Sequence, residues 1–205
     1  MNRLGRRFAR NKAGQTTIEF AFVLVPFFAL MFSVFENGFL LMCDSGLSQA
    51  NTDAARQLLI GSVQQSSAIT TADEYRDQLI CSPTAPVTRI LPTYIDCSKI
   101  IVDVQSLKAG QNFSQTSGND FYTTANTNSF CTGASSDIVM VRLMYPMPAY
   151  FPIFTNAFLR MGGVSTAGLT TYGGNLVHVV LSTVVFQSEP YSSGTLTPKP
   201  GCTAG

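Results

Sequence analysis

The feature that most constrains this chain is a run of sixteen uncharged residues, Phe20 to Phe35, lying just behind a purely basic segment. It reads Phe-Ala-Phe-Val-Leu-Val-Pro-Phe-Phe-Ala-Leu-Met-Phe-Ser-Val-Phe. Glu36, Asn37 and Gly38 interrupt it, and Phe39-Leu40-Leu41-Met42 extend it. Ile18 to Met42 thus spans 25 residues with two acids, Glu19 and Glu36. A hydrocarbon core of ~30 Å needs about 20 mostly apolar helical residues, so a single membrane crossing is expected here. The competing reading, a core helix of a soluble protein, fits poorly with a leader made only of cations.

Charge is divided at the same boundary. Residues 1–14 hold Arg3, Arg6, Arg7, Arg10 and Lys12 and no acid, a charge of +5. Residues 15–205 hold eight Lys and Arg against twelve Asp and Glu, a charge of −4, and the first of those cations is Arg56. The positive-inside rule therefore predicts residues 1–14 in the cytoplasm and the remainder outside. Only 12% of residues are charged, while fifteen are Phe, which excludes an intrinsically disordered chain. Five Cys in 205 residues exclude a disulfide miniprotein. A net charge of +1 argues against nucleic-acid binding. One His excludes a His-rich metal site.

Three kinds of export segment begin this way. A secretory signal needs a small-x-small site after the apolar run, and none is convincing between Phe35 and Ser48. A lipoprotein signal would use Leu40-Leu41-Met42-Cys43, but Met42 is too large and Glu36-Asn37-Gly38 spoils the run. Cys43 reads better as a small hydrophobe on a helix. The third kind is cut on the cytoplasmic side, before the apolar run. The junction reads Lys12-Ala13-Gly14-Gln15-Thr16-Thr17-Ile18-Glu19-Phe20. A carboxylate inside a membrane helix costs on the order of 3 kcal/mol at the centre, and less near an interface. Glu19 therefore asks for a partner. A cut after Gly14 would supply one: Gln15 would carry a free amine one helical turn from Glu19, or Glu19 could meet the amine of a neighbouring subunit.

This layout resembles the class III signal of type IV pilins and pseudopilins. The resemblance implies cleavage between Gly14 and Gln15 by a membrane prepilin peptidase, and a role for Glu19 and Phe20 in subunit assembly. Over residues 17–56 the chain looks more specifically like the TadE-like family of tight-adherence (Flp, type IVb) pilus systems. The residues that carry this likeness are Ile18-Glu19-Phe20-Ala21, Pro26 and Asp53-Ala54-Ala55-Arg56. The family implies a minor pilin or pseudopilin whose partners are membrane lipid, the prepilin peptidase, other pilus subunits and inner-membrane platform proteins.

Past Met42 a helical stripe continues through Leu40, Cys43, Leu47, Ala50, Ala54 and Leu58. Asp44, Ser48, Gln49, Asn51, Asp53 and Arg56 lie between these positions as the polar side, and Gly61 is placed to stop the helix. One helix from about Thr17 to about Ile60 is expected, with Pro26 kinking it or being satisfied by neighbours. The alternative is two helices broken near Asn37-Gly38. Thr71-Ala72-Asp73-Glu74 is a capping box opening a short helix from Ala72 to about Ile80. Asp73, Glu74 and Asp77 read as its solvated face.

Strands are expected at Lys99–Ser106, at Asp137–Tyr145 in a central position, and at Asn175–Phe186. Pro146, Pro148 and Pro152 are expected to follow the second strand. Residues 108–136 read as a long surface excursion, Ile153–Met161 as a short helix, and Glu189–Gly205 as a loose tail. Val139-x-Val141-x-Leu143-x-Tyr145-Pro146 and Glu189-Pro190-Tyr191 resemble the central strand and the ending of the same family. Four external cysteines, Cys81, Cys97, Cys131 and Cys202, allow three pairings. Cys81 with Cys97 is favoured, because it closes a Pro-rich loop, and this leaves Cys131 with Cys202. A zinc site lacks any Cys-x-x-Cys pair. His178 has no triad partners nearby in sequence.

The expected architecture is α+β and pilin-like. A long N-terminal transmembrane helix continues as an amphipathic stem, on which a small, mostly antiparallel sheet packs. The divisions are a leader at 1–14, transmembrane and stem helix at 15–61, a periplasmic domain at 62–191 and a tail at 192–205. The protein is expected to be a structural inner-membrane protein, not an enzyme, with no cofactor, metal, nucleic acid or small-molecule substrate. The alternatives are an uncleaved, signal-anchored periplasmic scaffold and a membrane-tethered enzyme.

Overall fold

A computed structural model describes residues 15–82, 91–107, 130–150 and 169–190. The element order is α1 (Gln15–Leu59), α2 (Ser62–Gln65), α3 (Ala72–Tyr75), β1 (Ile101–Leu107), β2 (Ile138–Pro148), β3 (Leu169–Tyr172) and β4 (Asn175–Gln187). The chain divides into two compact units. One holds residues up to Phe39 together with Ala149 and Tyr150; the other holds Leu40–Pro148 and the residues from Gly168 onward.

Helix α1 is one element of 45 residues and continues through both Pro26 and Gly38. The two-helix alternative is thereby overturned. Asn37 donates its side-chain amide to the Ser33 carbonyl one turn back at 2.8 Å, and the helix continues through it. The helix stops where the sequence placed a glycine. Gly61 is left-handed (φ 78°), and its N–H bonds the Leu58 carbonyl at 3.1 Å.

In the second unit the stem buries Cys43, Leu47, Ala50, Ala54, Ala55 and Leu58. The expected stripe is therefore the packed face, but it is wider than expected. Asn51, assigned from the sequence to the polar side, is fully buried and donates to Ser182 Oγ on β4 at 3.0 Å. It lies one residue from Ala50, about 100° round the helix, and the sheet covers enough of the circumference to take it in. Gly46 is a point of close approach on the helix. A Cβ there would lie 2.9 Å from Pro92 Cδ.

The sheet is wholly antiparallel in the order β1-β2-β4-β3. The two-residue link Gly173-Gly174 has positive φ at both positions (57° and 81°), the conformation that a two-residue hairpin turn demands. It joins β4 to β3, a short strand the sequence reading did not single out. Strand β2 is central, as expected, but runs on through Pro146 to Pro148. The register with β1 ends at Ile101↔Met144, so beyond it β2 pairs only with β4. A missing N–H on the β1 side costs no ladder bond there, and proline is tolerated.

The short helix begins as expected. Thr71 Oγ1 accepts from the Glu74 N–H at 3.2 Å, and Glu74 Oε2 accepts from the N–H groups of Thr70 (2.6 Å) and Thr71 (3.0 Å). After Tyr75 the turns widen to a π-helix over Arg76–Ile80. Arg76 bridges Asp73 at 2.7 Å and Asp77 at 2.8 Å, so these acids form the solvated face.

The amide and hydroxyl bonds from Thr70 hold the Glu74 carboxyl below its ordinary range. A lowered folded pKa means this cap is intact at neutral pH and is lost as pH falls through that lowered value. Amide exchange at Thr70 and Thr71 should therefore stay slow from neutral pH down past the usual carboxylate range. It should then accelerate, relative to Glu74→Gln, only on further acidification.

The end of the expected excursion is not loose. Phe130 is buried, bridges β1 at Val104, and packs its ring 5.7 Å from that of Tyr75. The Cys131 N–H bonds the Val104 carbonyl at 2.8 Å, and Gln64 Nε2 donates to the Thr132 carbonyl at 3.2 Å. Residues 108–129 of that excursion, the helix expected at 153–161, and residues 191–205 of the tail lie outside the described residues. The start of the expected tail is tied down, since the Glu189 N–H bonds the Leu59 carbonyl at 2.9 Å.

Candidate assembly surface on the N-terminal helix

Helix α1 starts at Gln15, directly after Gly14, which itself lies outside the described residues. Glu19 is exposed and stands one turn above Gln15, and Phe20 beside it is exposed as well. From there nearly the whole circumference is bare. Ile18, Phe20, Phe22, Val23, Val25, Phe27, Leu30, Val34 and Phe35 are all exposed, Phe22 to 76%. Successive residues turn by about 100°, so these positions cover every direction around the axis. Water would penalise such a surface at roughly 25 cal/mol per Å². A surface of this kind marks a site of contact with an apolar environment.

Two positions break the pattern. Ala29 and Glu36 are buried, Glu36 to 5% exposure, and they lie seven residues apart on one face. Cys43 and Ala50 continue the same heptad spacing along the helix and are buried too. Glu36, read from the sequence as an interruption of the membrane run, is therefore withdrawn from the exposed surface.

Outside the helix, the cysteines are placed as follows. Cys81 and Cys97 form a disulfide with Cα atoms 6.0 Å apart. Cys131 is disulfide-bonded as well, while Cys202 lies outside the described residues. Cys43 is a buried free thiol. His178 lies on β4, opposite Leu169 and Met147. Among the described residues no group of three or more His, Cys, Asp and Glu side chains is clustered to hold a metal.

One pair was missed. Asp103 on β1 and Arg142 on β2 face each other in register, at 2% and 8% exposure. Arg142 donates from Nε to Asp103 Oδ2 at 2.7 Å and again from its terminal nitrogen, and Gln105 Nε2 donates to Asp103 Oδ2 at 3.0 Å. A signal for it existed, since each is the lone charge inside its strand.

Fold and surface together define an α+β protein with one N-terminal helix apolar and long enough to anchor in a membrane. The family model described as TadE-like protein matches residues 14–56, which begin at Gly14 and end at Arg56. The match falls on the segment that carries the family likeness in the sequence. No curated protein and no solved structure matches the chain.

Proposed function

We propose that this protein is a minor pilin or pseudopilin of a tight-adherence pilus, cut between Gly14 and Gln15 by a prepilin peptidase. The observation that carries this reading is the single helix Gln15–Leu59, bare and apolar in its first part and packed into a domain in its second. Such a helix serves as a membrane anchor before assembly and as a helix among like helices after it. The basic leader supports a cytoplasmic N-terminus and a periplasmic domain in a bacterial inner membrane. Glu19 then pairs with the new amine of Gln15 or with that of the next subunit, which removes two charges from an apolar bundle. The partners are lipid, the peptidase and other pilus or platform subunits, and the role is structural, not catalytic.

N-terminal sequencing of protein extracted from cells with an active prepilin peptidase should begin at Gln15. A chain still beginning at Met1 would support an uncleaved anchored scaffold instead. Glu19→Ala should leave membrane insertion unchanged and strongly reduce the subunit's incorporation into sheared pilus or platform fractions. Unchanged incorporation would remove Glu19 from assembly.

A further inference from the structure

We infer that Tyr150, held on Phe39, is an interfacial anchor whose ring lies at the headgroup level of the bilayer. The inference rests on the reading of α1 as a membrane helix. The first compact unit contains, besides the apolar part of α1, only Ala149 and Tyr150 among its described residues. The rings of Tyr150 and Phe39 meet edge to face, with centroids 5.9 Å apart. Phe39 is half-buried, whereas Tyr150 remains 53% exposed. Along the helix, exposed apolar residues continue to Leu41 and Met42, and the first exposed charge after them is Asp44. Phe39 thus lies within about one and a half turns of the point where the helix surface changes from apolar to charged.

A tyrosine at such a level matches the chemistry of the bilayer boundary. Its ring sits against acyl chains and its hydroxyl reaches water and headgroups. The sequence beyond Tyr150 is compatible with this, being uncharged up to Arg160. The occupant of the exposed ring face is therefore lipid, at the depth where hydrocarbon meets headgroup. This gives the protein a second point of contact with the bilayer besides the helix itself.

The chain contains no tryptophan, so one substitution makes a site-specific fluorophore. The full-length Tyr150→Trp and Leu30→Trp proteins are reconstituted in phosphatidylcholine vesicles carrying bromine either high or low on the acyl chains. Leu30 is exposed near the middle of the apolar run and should lose most emission to the deep bromine. Tyr150→Trp should emit at shorter wavelength than tryptophan in water and lose more emission to the shallow bromine than to the deep one. Two outcomes overturn the inference: no quenching of Tyr150→Trp while Leu30→Trp is quenched, or quenching of both with the same depth profile. Loss of quenching at Leu30→Trp would instead defeat the membrane reading of α1.

Discussion

Replacing Asp103 with alanine should destabilise the folded domain by about 3–5 kcal/mol. The cause is what the substitution leaves behind. Arg142 is 8% exposed and donates two hydrogen bonds to Asp103, so removing the carboxylate takes away a countercharge in a buried place. Gln105 loses its acceptor in the same step. Arg142→Ala should cost a comparable amount for the converse reason. The pair itself contributes little relative to an apolar pair of similar volume, because both ions were desolvated to make it. Asp103→Leu combined with Arg142→Met should therefore recover most of the loss. Denaturant unfolding of the full chain in detergent micelles measures all four proteins. A single substitution costing under about 1 kcal/mol would show that water or another group reaches the charge left behind.

The second large effect is expected at the Cys81–Cys97 disulfide. Replacing both residues with serine should lower stability by about 3 kcal/mol, the chain-entropy value for a loop of about fifteen residues. The bond ties the end of the π-helical turn to the short 3-10 turn that leads into β1. In the unfolded ensemble it limits how far the segment that forms α3 can drift from the segment that forms β1. Reductant should lower the melting temperature of the doubly substituted protein less than that of the natural chain, because only the disulfide of Cys131 remains in it to be reduced. The natural chain should lose at least as much on reduction, which opens the disulfide of Cys131 too. A reductant-insensitive natural chain would mean the unfolded state is already confined in this region.

Much of the fold was legible because it rests on local physics. A helix of 45 residues follows from an unbroken apolar run and a stripe at three- and four-residue spacing, with a glycine at its end. The cap at Thr71 follows from one hydroxyl and one carboxylate three residues apart. The hairpin of β3 and β4 was missed: two adjacent glycines mark the turn, but the short Thr170-Thr171-Tyr172 segment before them carries too little apolar alternation to read as a strand. The length of β2 was not readable. Proline argues against a strand until the neighbouring register is known, and only the end of the β1 pairing at Met144 makes Pro146 and Pro148 acceptable.

The same division applies to the candidate surface. By itself the sequence determined that a basic leader, Gly14, Glu19 and an apolar helix occur in that order, because charge, hydropathy and spacing are properties of neighbouring residues. It also determined that the stem has one face to bury. Only the tertiary structure decided how wide that face is, drawing in Asn51 to meet Ser182, and which acid is withdrawn from the apolar surface, covering Glu36 while leaving Glu19 at the exposed end. The pairing of Asp103 with Arg142 and the seating of Tyr150 on Phe39 belong to the same class. Each joins residues far apart in the chain, and their proximity depends on strand register and chain path, which no local pattern encodes.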